Sequence, residues 1–335
     1  MGSRYITLDK CKRANTPFNI LIGGRGTGKT FTCLCESAEK ATPDTRFMLM
    51  RRTEVEVSSI ADDKYNPFKA INRVKGYDIS AKYIAKNSVG EFFDNSTEEP
   101  RFIGYATALS TFGKLRGADL SDVTTIVFDE FIKARTGHVI KDEADLFFNA
   151  YETINRNREL EGKEAVKCYL LSNATTLASP ILEELQLIPV IERMKRRGET
   201  SYTDRYRGIH IEVLDNVQVS KEKADTALYR ATKGTAYSAH ALDNEFAYDS
   251  FENIQKVNLN EFIPWVQIED LYIYRHKNRL EYYVCKSKGK CQHVYTGDSI
   301  PLFKRHFGIR FYQLLIGGYV YFNSFAVKQQ ILSYY

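Results

Sequence analysis

The strongest constraint on this chain is an eight-residue stretch near its start, Gly23-Gly24-Arg25-Gly26-Thr27-Gly28-Lys29-Thr30, which satisfies G-x-x-x-x-G-K-[ST]. Each residue type in that spacing has a physical task. Glycines let backbone N–H groups turn inward around an anion, and the helix that follows offers the positive end of its dipole. A lysine reaches the outer phosphates, and a threonine hydroxyl suits magnesium. The pattern carries meaning only between a strand and a helix. Phe18 to Ile22 (FNILI) is a short apolar run ended by glycines, and Thr30 to Ala41 reads as a helix closed before Pro43.

Such a loop needs an acidic element on another strand, and Ile126-Val127-Phe128-Asp129-Glu130 is an apolar strand ending in two carboxylates. Asp129 is expected to hold the magnesium shell together with Thr30, and Glu130 to orient and polarise an attacking water. An apolar strand ending in Asp-Glu is common by itself; the pairing with the loop makes it one site. The guanine-reading pattern Asn-Lys-x-Asp is absent, which favours ATP over GTP. Arg156 and Arg158, in Asn155-Arg156-Asn157-Arg158, are candidates for the further cation such sites use, against the plain reading of a solvated helix end.

Further apolar strands read at Arg46 to Met50 and Cys168 to Leu171, with shorter ones at Glu91 to Phe93 and Arg101 to Ala106 around a polar turn. A helix is expected over roughly Glu143 to Glu159. Wholly apolar strands alternating with helices predict an α/β fold, a mainly parallel sheet covered on both faces. The texture turns polar after Leu214, so the expected organisation is a P-loop domain over 1–218, a linker over 219–250 and a smaller domain over 251–335. That last region has aromatic-rich alternating segments at Asp270 to Tyr274, Leu280 to Cys285 and His293 to Thr296, then a helix near Phe322 to Ser333.

No apolar run approaches the roughly 20 residues of a spanning helix, and Met1 to Lys10 has no signal-peptide core, so a cytoplasmic protein with no membrane partner is expected. The six cysteines are expected to be free thiols. The spacing of Cys285, Cys291 and His293 is wrong for a zinc knuckle, so no structural metal is expected there. The net charge of +5 says less than its distribution. Arg193, Lys195, Arg196, Arg197, Arg205 and Arg207 cluster, and a second basic stretch from Arg275 to Arg310 includes Lys286, Lys288 and Lys290. Both interleave aromatic residues; a solvated surface and contact with a nucleic-acid backbone fit equally.

Several segments together resemble, in order and spacing, the DNA-packaging ATPases of small short-tailed phages, the phi-29-like branch of the terminase-like motors. They are Ile20 to Phe31, Met50-Arg51-Arg52, Thr125 to Ile132 (TIVFDEFI), Asn155 to Glu159 (NRNRE), Leu171 to Ala174 (LSNA), Gly234-Thr235, Leu242 to Phe246 (LDNEF) and Gly318-Tyr319. The resemblance implies an ATPase domain of the additional-strand (ASCE) type and a small α+β C-terminal domain that looks like a vestigial ribonuclease-H-like nuclease. It makes Asp129 and Glu130 the Walker B pair, Arg156 a finger reaching a neighbouring subunit's ATP, with Arg158 as the alternative, and Ser172 and Asn173 the coupling motif that senses the γ-phosphate.

It further implies a ring, typically pentameric, at the portal of an empty capsid in the host cytoplasm, pulling double-stranded DNA inward and absent from the mature virion. A packaging RNA as a docking partner is left open. Glu269, Asp270, Glu281 and Asp298 offer no obvious acidic triplet for two metals, so no nuclease activity is expected. A helicase or a phage-assembly ATPase would share the loop, the acidic strand and the basic patches. A purely structural nucleotide-binding ring is disfavoured by Glu130.

Overall fold

In the computed structural model, residues 5–133, 138–173, 177, 179–214, 226–233, 253–332 and 334 are described. The chain divides into two units, Met1–Tyr248 and Asp249–Tyr335.

The first unit begins with helix α1 (Asp9–Ala14), strand β1 (Phe18–Gly23), helix α2 (Lys29–Glu39) and strand β2 (Arg46–Arg51). Short helices α3 (Glu54–Ser58) and α4 (Lys69–Lys75) lead into β3 (Ile79–Ile84), β4 (Val89–Asp94) and β5 (Arg101–Ala108). Then come β6 (Val123–Asp129), α5 (Glu143–Asn155), β7 (Lys167–Asn173), α6 (Pro180–Glu184), α7 (Ile188–Arg197), β8 (Ser201–Asp204) and β9 (Ile209–Leu214). The strands form one nine-stranded sheet in the order β3-β4-β5-β2-β6-β7-β1-β9-β8. Every pairing from β5 through to β9 is parallel, and only the outer strands β3, β4 and β8 pair antiparallel. Strand β7 is inserted between β1 and β6, which is the additional-strand arrangement.

The central strands are apolar along their whole length because both faces are covered. Leu21, Leu49, Val127 and Leu171 share one buried cluster with Leu34 of α2. Phe128, one residue further along β6, points to the opposite face, where its ring lies 5.6 Å from that of Phe147 on α5. Toward the β5 side, Phe47, Phe68 and Phe92 pack together with ring centroids 5.1–5.8 Å apart, Phe47 stacked on Phe92 and Phe68 edge-on to Phe92.

Strand β3 is an element the sequence pattern did not indicate: Ile-Ser-Ala-Lys-Tyr-Ile is polar at every second or third residue because it lies at a sheet edge with mainly part-exposed side chains. Helix α5 ends at Asn155, four residues before the expected Glu159, because Arg156 leaves helical space with φ +43°. The Asn155 side chain then accepts from the Val166 N–H at 2.9 Å and donates to Glu159, tying the turn to β7.

Within the second unit, β10 (Phe262–Ile268), β11 (Leu271–His276) and β12 (Tyr282–Cys285) form an antiparallel meander. Strand β13 (His293–Tyr295) adds in parallel to β10 and β14 (Val320–Phe322) in parallel to β12. Helical segments at Ile300–Phe303, Ile309–Ile316 and Phe325–Leu332 supply Phe303, Phe311, Val327 and Ile331 to a core shared with Val266, Ile273, Val284 and Phe322. This is an α+β unit, as expected, although β10 and the helices over 300–316 were not read in the sequence. The expected linker falls mostly outside the described residues; inside them is one short helix, Ala227–Ala231. Gly234-Thr235 and the Leu242 to Phe246 segment also lie outside. Among the described residues no helix is long and apolar enough to cross a membrane.

Candidate nucleotide-binding site

Three strand ends are brought level by the parallel register. Gly23 at the end of β1 pairs with Asn173 of β7, and Asp129 at the end of β6 pairs with Leu171 of the same strand. The loop from Gly23 to Gly28 therefore opens beside the acidic pair. The glycines answer to geometry. A Cβ at Gly23 would lie 2.7 Å from that of Leu214 on β9, and Gly28 has φ +87° with the Tyr5 ring 2.6 Å from where its Cβ would stand. From Gly28 the chain turns directly into α2, so the positive end of that helix lies at the cavity.

A cavity of about 420 Å³ is lined by Arg25, Gly26, Gly28, Lys29, Thr30, Phe31, Asp129, Glu130, Ser172 and Asn173. The buried Lys29 Nζ donates to the carbonyls of Gly23 at 2.9 Å and Gly24 at 3.0 Å, and lies 3.3 Å from Thr27 Oγ1. Thr27 Oγ1 in turn donates to Gly24 O at 3.1 Å, so the loop braces itself from within. Thr30 Oγ1 donates to Asp129 Oδ2 at 2.9 Å, which places the two expected magnesium ligands in contact although 99 residues separate them. A hydroxyl, a carboxylate, an ammonium and a glycine-rich turn at a helix start suit a magnesium–triphosphate in charge and donor type.

Glu130 follows with φ +55°, an uncommon backbone for a residue with a side chain, and its carboxylate is 53% exposed toward the cavity mouth. Ser172 is buried with its hydroxyl donating to Asn173 O at 3.1 Å. Behind the loop, burial pushes the Cys33 thiol of α2 well above its ordinary value, which makes it a packing group and not a nucleophile.

Arg51 is the site residue whose role the sequence pattern left unassigned. Its guanidinium lies 2.9 Å from Asp129 Oδ2 and 3.8 Å from Glu130 Oε2. Neighbouring Arg52 points away and makes a buried two-pronged pair with Glu143 of α5, at 2.7 and 2.9 Å, while donating to His138 O at 3.0 Å. Side chains alternate at a strand end, so one arginine serves the site and the next anchors a helix. The Met-Arg-Arg run gave the residue types; only the adjacency of β2 and β6 gives the assignment.

Other candidates stand apart from this cavity. Arg156 caps the Thr153 and Ala118 carbonyls at 3.1 and 2.7 Å, and Arg158 caps those of Glu164 and Ser121; Arg156 is exposed, Arg158 half-buried, and neither lines this cavity. On α7, Lys195, Arg196 and Arg197 are exposed, while the Arg193 guanidinium sits 5.4 Å over the Tyr202 ring. Lys286, Lys288 and Lys290 are exposed in the second unit, Lys286 lying 3.2 Å from Asp270. The acids of that unit are engaged separately: Glu269 accepts from the Gly297 N–H, Asp270 from Gln330, and Glu281 pairs with Arg279.

The DNA packaging proteins of Bacillus phages PZA and phi29 are each 29% identical to the chain over 243 residues, covering 71% of it. The alignment spans 64% of the length of those two relatives. The corresponding protein of Bacillus phage B103 is 29% identical over 248 residues. Among solved structures, a chain of the bacteriophage phi29 viral genome packaging motor assembly superposes with a TM-score of 0.65 at 21% identity, over 99% of this chain and 98% of that one. The Phi-28 gp11 DNA packaging motor does so at 0.62 and 18%, with the same coverage. These likenesses show the fold. The match of residues 2–296 to the family profile of the podovirus DNA encapsidation protein (Gp16), on a chain that carries the loop, the acidic pair and the additional-strand sheet in place, shows that it belongs to that family.

Proposed function

We propose that this chain is an ATP-hydrolysing motor that drives double-stranded DNA into an empty phage capsid. The observation that carries the reading is the convergence of Lys29, Thr30, Asp129 and Glu130 on one cavity at the ends of aligned parallel strands, in a member of a DNA encapsidation family. Lys29 and the loop amides hold the phosphates of ATP. Thr30 and Asp129 hold magnesium, Asp129 through water; the ion, when bound, supplies charge neutralisation at the outer phosphates. Glu130 orients the attacking water and accepts its proton. Arg51 balances the two adjacent carboxylates and holds Glu130 within reach, while Ser172 and Asn173 report on the γ-phosphate from β7.

Arg156 belongs to the neighbouring subunit's site in a ring, read from the family resemblance as a pentamer. Its surface position outside its own chain's nucleotide cavity supports that role. The exposed basic groups on α7 and after β12 are offered for contact with DNA phosphates or the portal, and the second unit is read as a contact module without nuclease activity. A packaging RNA remains a partner to be tested at the portal.

The deciding experiment is ATP-dependent protection of duplex DNA from nuclease by purified empty capsids plus this protein, with Glu130→Gln and Arg156→Ala alongside. Protection by the wild type and its loss in both variants is the expected result. Steady ATP hydrolysis with competent capsids and no protection would overturn the reading in favour of a helicase or an assembly ATPase, which strand-separation assays then distinguish.

A further inference from the structure

On the β9 side of the sheet, apart from the nucleotide cavity, lies a second group of ligating side chains. His210 and Glu212 are two residues apart on β9 and therefore share a face, and α1 lies against that face and contributes Cys11. All three are 2–4% exposed. Among the described residues this is the one group of three metal-capable side chains whose ligand atoms all lie within 4.8 Å of one another.

The spacing suits a small tetrahedral cation. Bond lengths of about 2.0–2.3 Å to nitrogen, oxygen and sulfur put neighbouring ligand atoms about 3.3–3.6 Å apart. Here Cys11 Sγ is 3.2 Å and His210 Nε2 3.4 Å from Glu212 Oε1. The imidazole is already held from behind: Nδ1 lies 2.7 Å from Thr203 Oγ1, the outer contact that orients metal-binding histidines. Its other nitrogen, Nε2, is buried facing Glu212 Oε1 and makes no well-aligned hydrogen bond there. A buried polar atom left in that state is costly, and a cation would satisfy it. The charges also fit. A thiolate, a carboxylate and a neutral imidazole around a divalent ion sum to zero; of the outer charges, Lys10 reaches Glu212 at 3.7 Å from a half-exposed position, and Glu36, near Cys11, is paired with Lys12 at 2.8 Å.

We propose that Cys11, His210 and Glu212 form a binding site for a soft divalent cation, zinc by its sulfur, nitrogen and oxygen ligands, that staples α1 to β9. The segment just before α1 is the one that packs on the phosphate loop. Ile6 N–H donates to Thr27 O at 3.1 Å, Thr32 Oγ1 donates to Ile6 O, and the Tyr5 ring stacks 4.6 Å from Phe31. The ion therefore anchors the outer wall of the nucleotide loop without entering the chemistry. This assignment is independent of what the motor moves.

The test is metal analysis of the full-length protein, purified without chelator, followed by the absorption spectrum after cobalt exchange. About one zinc per chain is expected, with a sulfur-to-cobalt charge-transfer band and the intense visible bands of tetrahedral cobalt. Cys11→Ser abolishes the charge-transfer band, His210→Gln lowers metal content, and Cys291→Ser changes neither. A folded wild type with less than about a tenth of an equivalent of metal and no such band overturns the proposal, as does a band that survives Cys11→Ser and disappears with Cys291→Ser. Should Cys11→Ser fail to fold, the wild type decides. Its thermal midpoint must fall on chelation and return with zinc, and an unchanged midpoint overturns the site.

Discussion

The guanidinium of Arg51 lies 2.9 Å from Asp129 Oδ2 and spans toward Glu130, 3.8 Å away, so one side chain from β2 faces both carboxylates that end β6. Removing it leaves two adjacent negative charges without their nearest cation at the mouth of the cavity. Arg51→Ala is expected to lower ATP turnover by about ten- to a hundredfold, equivalent to about 1.4–2.7 kcal/mol in the barrier, with Arg51→Lys recovering part. Steady-state ATPase assays check this; a variant with wild-type turnover would remove Arg51 from the site.

Glu130→Gln should separate binding from chemistry. The amide keeps the shape and loses the base, so turnover drops by about 10²-fold or more while nucleotide affinity stays within a few-fold. A fluorescent nucleotide titration beside the ATPase assay reads both quantities, and parallel losses in the two would refute the assigned role.

Gly28→Ala introduces a side chain where φ is +87° and the Tyr5 ring occupies its space. The backbone strain alone is about 1–2 kcal/mol. Loss of nucleotide binding is expected to exceed the loss of thermal stability, because the N–H groups of the loop must turn away to relieve the contact. Calorimetric titration and a melting curve on the same sample test the ordering.

Arg52→Ala strands the buried Glu143 carboxylate and is expected to destabilise the first unit by about 3–5 kcal/mol. A paired Arg52→Met, Glu143→Leu variant should regain most of that, since both charges then leave the interior together. Urea unfolding of the three proteins measures it; a single variant within about 1 kcal/mol of wild type contradicts the buried-pair account.

If Arg156 acts across a subunit boundary, two inactive proteins can complement each other. Mixing Arg156→Ala with Glu130→Gln restores at least one interface with both an intact finger and an intact base, so partial ATPase activity is expected from the mixture and little from either alone. No recovery with Arg156→Ala, but recovery with Arg158→Ala in its place, transfers the role to Arg158.

The local chemistry was legible in the chain before any tertiary structure. Gly23 to Thr30 read as a phosphate loop because amides can be aimed inward only where small residues permit it, and the structure sets the stretch between β1 and α2. Ile126 to Glu130 had to be an interior strand because five successive residues give three apolar ones and then two carboxylates at the exit. These are short-range requirements, met by neighbours in sequence, and the apolar runs of β2, β6 and β7 set the α/β class by the same logic. Legibility failed at edges: β3 is half polar because one side of it meets solvent, and α5 stops short because Arg156 takes a positive-φ, non-helical backbone that no periodicity signals.

What the sequence left open is which strand lies beside which. Contact between Thr30 and Asp129, the placing of Arg51 against Glu130, and the meeting of Cys11 with Glu212 from 201 residues away all follow from the order β2-β6-β7-β1-β9. That order is decided by how the helices on the two faces pack against the whole sheet. The sequence by itself therefore determined the chemical groups and the local turns that aim them, and the tertiary structure decided which groups face one another, because strand adjacency is a long-range packing outcome that no local stretch of chain encodes.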